Sequence, residues 1–187
     1  VLPVTTEAEA RAQLDAVKKR EYDARHNCWA YILHSGQKRY SDDGEPQGTA
    51  GQPILNVLER EGVQDVLCVV TRYFGGVLLG AGGLVRAYSH GCAIALSAAQ
   101  VVMMEESRRV LIDVPYPLWD KVNHALKALP QITEDTSFGA SVEATVLIRE
   151  KDLDTVLATL TALTDAKIDF LPLDALHYPW PVPETDE

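Results

Sequence analysis

Residues Val66 to His90 constrain the fold more than any other stretch. They read V-L-C-V-V-T-R-Y-F-G-G-V-L-L-G-A-G-G-L-V-R-A-Y-S-H. Val66 to Tyr73 is a continuous, largely β-branched run, the pattern of a strand buried on both faces. Five of the chain's twelve glycines, Gly75, Gly76, Gly80, Gly82 and Gly83, then fall within nine positions. From Leu84 the spacing turns helical, with Leu84, Tyr88 and Ala95 on one stripe. Strand, glycine loop and helix therefore follow one another. The start of such a helix presents free N–H groups and a partial positive charge.

The rest of the chain fits around this unit. Thr6 and Glu9 form a capping box for a helix to about Glu21. His26 to Leu33 reads as a strand, Ser35-Gly36 as a turn, and Lys38 to Tyr40 as a short returning strand. Ser41 to Gly51, S-D-D-G-E-P-Q-G-T-A-G, is a loop of turn residues. Pro53 then suits the first turn of a helix ending near Gly62. The helix that starts after the glycine loop is expected to reach about Met104. A change of composition at Glu105-Glu106-Ser107-Arg108-Arg109 predicts a domain boundary. Beyond it the periodicities give β-α-β-β-α-β, the split-βαβ or ferredoxin-like arrangement, with Asp152 as the cap of the second helix. The predicted domains are 1–105, 106–175 and an extended, loosely ordered tail at 176–187.

The 187 residues have a formal charge of −10. The charge is uneven: residues 1–105 hold 10 basic and 12 acidic side chains, net −2, and residues 106–187 hold 7 and 15, net −8. Nucleic-acid binders usually carry a basic patch, so an anionic partner is expected on the N-terminal part. No run reaches the roughly 20 apolar residues of a membrane span. No signal-peptide pattern opens the chain. Cys28, Cys68 and Cys92 are odd in number and lie in apolar elements, which suits buried free thiols in a reducing cytoplasm.

The glycine loop does not meet the nucleotide-binding patterns. Gly75 and Gly80 have P-loop spacing, but Ala81 and Gly82 stand where Lys and Ser or Thr are needed. A dinucleotide fingerprint read from Gly80 and Gly82 would need Gly or Ala where Val85 stands. A ligand- or partner-facing loop flanked by Arg72, Tyr73, Phe74 and Arg86 is the preferred reading. Asp42, Asp43 and Glu45 do not have the spacing of an EF-hand. They are expected to cap their turn, or to pair with Arg72 and Arg86 where the loops meet. His26 and Cys28 share a strand face, but such neighbours are nearly 7 Å apart, too far for a nucleophile pair. His26 is read as a partly buried histidine bonded to the loop. No metal site and no cofactor are expected.

Three motifs together resemble the YigZ/Impact family, and in particular its bacterial YigZ-like branch. They are H-N-C-W-A-Y at 26–31, S-D-D-G-E-P-x-G-T-A-G at 41–51 and V-V-T-R-Y-F-G-G-x-x-L-G-A-G-G-L-V-R-A-Y at 69–88. The resemblance implies an α+β protein of two small α/β sandwich domains. The first would have a left-handed βαβ crossover, as in a ribosomal-protein domain and the GHMP kinases. The second would resemble domains III and V of elongation factor G. Eukaryotic relatives regulate translation by binding a large activator of an initiation-factor kinase. The implied function is thus a non-enzymatic, cytoplasmic binding protein linked to translation, with ribosome, RNA or an associated protein as partner. No catalytic residues are implied. The expected binding residues are His26, Asp42, Asp43, Glu45, Arg72, Tyr73, Phe74, Gly75, Gly76, Gly80, Gly82, Gly83, Arg86 and Tyr88. An enzyme acting on a nucleotide or phosphorylated small molecule at the same loop is the alternative, with a small-molecule anion held near Gly82.

Overall fold

The computed structural model describes residues 1–76 and 78–182. The chain divides into two compact units between Val101 and Val102. The first holds four antiparallel strands, β1 (Leu2–Pro3), β2 (His26–Ile32), β3 (Lys38–Ser41) and β4 (Val66–Arg72), in the order β1-β4-β2-β3. Because β4 runs antiparallel to both β1 and β2, these two are parallel, joined by α1 (Glu7–Arg20). Thr6 caps α1, as the capping box predicts, and its side chain accepts from Glu9 N.

Both faces of this sheet are covered. On one face Cys28, Ala30 and Cys68 pack against Ile54 and Leu58 of α2 (Gly51–Arg60) and Leu84, Tyr88 and Cys92 of α3 (Gly80–Ser97). On the other, Tyr31, Leu33 and Leu67 lie under Ala10 and Leu14 of α1. This double coverage is why β4 has no polar alternation in its sequence.

The second unit is a sheet of β5 (Val102–Val114), β6 (Gln131–Phe138), β7 (Val142–Arg149) and β8 (Asp169–Pro181), in the order β6-β7-β5-β8 and antiparallel throughout. Helices α4 (Tyr116–Leu126) and α5 (Leu153–Leu163) complete the β-α-β-β-α-β order. Val110, Ile112, Val146 and Ile148 meet Val122, Leu126, Val156 and Leu160 in its core. The two α+β units with antiparallel sheets are the fold class expected from the sequence.

Three expectations change. The helix after the glycine loop stops at Ser97 instead of Met104, and residues 102–105 begin β5, so the units meet four residues earlier than predicted. The segment 176–181, expected as a tail, is the second half of β8 and pairs with β5 from Leu176↔Ser107 to Pro181↔Val102. Its prolines are tolerated because β8 is an edge strand. Residues 183–187 lie outside the described residues. Finally, Asp152 precedes α5 but does not cap it; its carboxylate accepts from Arg149 Nε at 2.6 Å.

Candidate functional site

The end of the β2–β4 ladder sets the geometry. His26 on β2 is the direct cross-strand partner of Arg72 on β4. Residues opposite each other in an antiparallel pair project to the same face, here toward the 41–51 loop. His26 Nδ1 lies 2.8 Å from the carbonyl of Asp43, and the Cys28 thiol donates to the carbonyl of Asp42 at 2.9 Å. Gly44 lies beside the His26 ring with φ +87°, a backbone conformation that other residues rarely adopt.

The three loop carboxylates have three different jobs. Asp42 accepts from the backbone N–H groups of Gly48 (2.8 Å), Ala50 (3.0 Å) and Gly51 (2.8 Å), and so caps α2 from outside the helix. Asp43 accepts from Asn27 N at 2.7 Å and pairs with Lys18 of α1 at 2.9 Å. Glu45, whose side chain is 5% exposed, takes Arg72 Nη1 at 2.5 Å and the Tyr88 hydroxyl at 2.9 Å on the same oxygen, Oε1. Its Oε2 lies 4.0 Å from His26 Nε2. Thr71 donates to Asn27 Oδ1 across the ladder on the α1 side.

Within this clamp Glu45 and Asp43 are held in their charged form. Burial pushes the Glu45 carboxyl up, but Arg72, Tyr88 and His26 outweigh it and hold the group below the usual carboxylate range. For Asp43, burial is likewise outweighed, by Lys18, the Asn27 N–H and His26. Burial is the main cause that pushes the Cys28 thiol up to about 12, so it stays protonated near neutrality and is no nucleophile. Burial, Cys28 and Glu45 all raise the Tyr88 hydroxyl.

The remaining predicted residues lie outside the clamp. Tyr73 and Phe74 are 53% and 44% exposed, and Leu78 beyond them is 88% exposed. Two guanidinium groups lie over the Phe74 ring, Arg25 at 5.4 Å and Arg72 at 5.7 Å from its centroid. The Tyr73 hydroxyl donates to Glu21 at 2.8 Å and tethers the loop to the end of α1. That bond to Glu21 is the main cause that raises the Tyr73 hydroxyl to about 12. Gly75, Gly76, Gly80 and Gly82 are exposed at the surface. Only Gly76 (φ +84°) and Gly80 (φ +70°) use a backbone conformation that other residues rarely adopt, while at Gly83 a Cβ would come within 3.0 Å of Leu79. Arg86 is exposed nearly two turns into α3.

The expectation that the carboxylates pair with both arginines is thus half met. Arg72 reaches Glu45, while Arg86 joins no ion pair among the described residues. Lys18, in the basic last turn of α1, is the partner of Asp43, and nothing local in Lys18-Lys19-Arg20 distinguishes it from its neighbours. Asn27 and Thr71 belong to the framework as well. Among the described residues, no group of three or more His, Cys, Asp or Glu side chains is arranged to hold a metal ion. No helix among them is long and apolar enough to cross a membrane.

The fold and the clamp together define a class: a two-unit α+β protein whose first unit locks an acidic loop behind an exposed glycine loop. Comparison with known proteins places it more narrowly. The Impact N-terminal domain is matched over residues 1–96, and a domain of unknown function, DUF1949, over residues 112–167. The chain is 36% identical to "IMPACT family member YvyE" of Bacillus subtilis, over 89% of this chain and 77% of that one. It is 48% identical to "IMPACT family member YigZ" of Escherichia coli over 46% of this chain and 45% of that one. A crystal structure of a hypothetical protein matches with a TM-score of 0.52 and 28% identity, covering 92% of this chain and 85% of that one. The chain belongs to the IMPACT family.

Proposed function

We propose that this chain is a non-enzymatic, cytoplasmic binding protein of the translation machinery, and that it meets ribosome, RNA or an associated protein through the 73–86 surface. The observation that carries this reading is the division of labour between two sets of residues. The charged and hydroxyl groups of the clamp are turned onto one another. The neighbouring loop and the start of α3 hold apolar and cationic groups outward: Tyr73, Phe74 and Leu78 from the loop and Arg86 from the helix. Exposed aromatic residues beside arginine are the composition of interface hot spots, and exposed apolar patches mark interaction sites. The link to translation rests on the family resemblance.

An enzyme at the same loop is supported less well. Glu45 already bonds Arg72 and Tyr88, Asp42 already accepts three backbone N–H groups, and Cys28 stays a thiol. None of these is poised to exchange a proton with a substrate.

Co-sedimentation of the purified chain with ribosomes at low salt tests the proposal. The chain is expected in the ribosomal pellet, and a Phe74→Ala/Arg86→Glu variant in the supernatant. Equal pelleting of the two would remove the 73–86 surface from the account.

A further inference from the structure

The helices of the second unit cover one face of its sheet. Ile112 and Val114 of β5, Val142 and Val146 of β7 and Phe170 of β8 pack with Val122 and Leu126 of α4 and Val156 and Leu160 of α5. Side chains alternate along a strand, so the residues between these project to the opposite face. There Asp113 stands directly opposite Glu143 on one side and Asp169 on the other. Three carboxylates thus lie side by side across three neighbouring strands. Asp113 is half-buried, and Glu143 and Asp169 are exposed.

Like charges directly opposite each other in an antiparallel pair destabilise it. Among the described residues, none of the three carboxylates joins an ion pair. Arg109, further back along β5 on the same face, is already engaged by Glu134 and Asp174, both at 2.6 Å. The register therefore sets a cost that the protein itself does not offset. Such local costs in native proteins fall at functional positions.

Two residues along the strands, roughly 7 Å away, the face turns apolar. Leu111 is flanked by Leu171 and Thr145, and Leu171 is 58% exposed. The open face thus pairs an acidic row with an apolar step. Residues 106–187 hold 7 basic and 15 acidic side chains, net −8, so nucleic acid and anionic membranes are repelled from this unit, and a cationic partner is attracted to it.

We propose that the open face of the second sheet docks a lysine- or arginine-rich segment of a partner protein. Its cations lie over Asp113, Glu143 and Asp169, and an apolar side chain rests on Leu111 and Leu171. This surface belongs to the second unit and does not depend on the function proposed for residues 73–86.

The test is a fluorescence-anisotropy titration of the full chain into a labelled peptide that alternates lysine and leucine. It is run at about 0.1 M salt, where charges more than about 10 Å apart are largely screened. A saturable rise with a dissociation constant of order ~0.1 mM is expected, and a peptide with glutamate in place of lysine should not bind. Asp113→Asn/Glu143→Gln/Asp169→Asn should weaken binding about tenfold, the combined scale of three exposed ion pairs. The same variant should melt no lower than the parent, because the opposed charges are gone. Asp120→Asn/Asp154→Asn/Asp165→Asn removes as much charge from α4, α5 and the turn after α5, and should bind nearly as tightly as the parent. Equal weakening by the two variants would reduce the effect to net charge and overturn the docking face. So would undiminished binding by the first variant, or no saturable binding of the lysine peptide.

Discussion

Arg72 and Glu45 meet at 2.5 Å with side-chain exposures of 19% and 5%, one from the end of a central strand and the other from the middle of a loop. Breaking a buried pair by removing one partner leaves a charge without solvent or counter-charge, and typically costs about 3–5 kcal/mol. Arg72→Met should therefore lower the unfolding free energy by about 3 kcal/mol, measured by urea denaturation. Glu45→Gln/Arg72→Met should lose clearly less than the sum of the single losses, because the double variant strands no charge. Additive losses would mean the pair is not coupled.

Glu45 and Asp43, each in its own ion pair, set an acid limb. Glu45 and Asp43 both have folded-state pKa values below their ordinary ones. Their contribution to stability is thus fully present above the unfolded values of roughly 4, and is lost as pH falls through the lower folded values. Unfolding free energy should fall steadily from about pH 5 downward. Glu45→Gln should flatten that limb, as read from urea midpoints across the range.

Asp42 holds the start of α2 by accepting three backbone N–H groups. Asp42→Ala leaves all three without this acceptor and should cost about 2 kcal/mol, the upper end for a lost helix cap. Asp42→Asn, which keeps one acceptor oxygen, should lose less. Hydrogen exchange of the Ala50 and Gly51 amides reports the loss locally, and unchanged protection there would contradict the capping role.

Glycines in this chain divide by what surrounds them. A Cβ at Gly51 would lie 2.6 Å from the Ser41 carbonyl oxygen, whereas one at Gly75 would meet nothing within 4 Å. Gly51→Ala should give little folded protein, and Gly75→Ala should melt within a degree or two of the parent, in line with the small effects of unstrained surface changes (about ±0.5 kcal/mol). Thermal melts of both variants check this.

The strand–loop–helix core was legible because its signals are local. A long apolar run, clustered glycines and a restored helical spacing all lie between 66 and 97. The β-α-β-β-α-β order was legible from periodicity in the same way. What was hidden depends on distant pairing. Val101-Val102-Met103-Met104 is apolar and follows a helix, so it reads as more helix; only its pairing with residues 179–181 makes 102–104 a strand. Pro179 and Pro181 read as a loose tail because their tolerance depends on β8 lying at the sheet edge. In the candidate site, the S-D-D-G-E-P carboxylates were visible as a group, but their separate partners were not. Lys18 sits 25 residues from Asp43, and Arg72 27 residues from Glu45. Arg72 and Arg86 look alike in the sequence. The ladder register, with His26 opposite Arg72, turns the first inward, and a place on the exposed side of α3 leaves the second outside.

In the proposed arrangement the paired residues hold the loop while the exposed ones bind. Ribosome co-sedimentation of the Phe74→Ala/Arg86→Glu variant, run beside its urea unfolding curve, tests this most directly. Most of the pelleted fraction should be lost while the unfolding midpoint stays close to that of the parent. A variant that pellets as the parent does, or one that loses pelleting only in step with its stability, would contradict it.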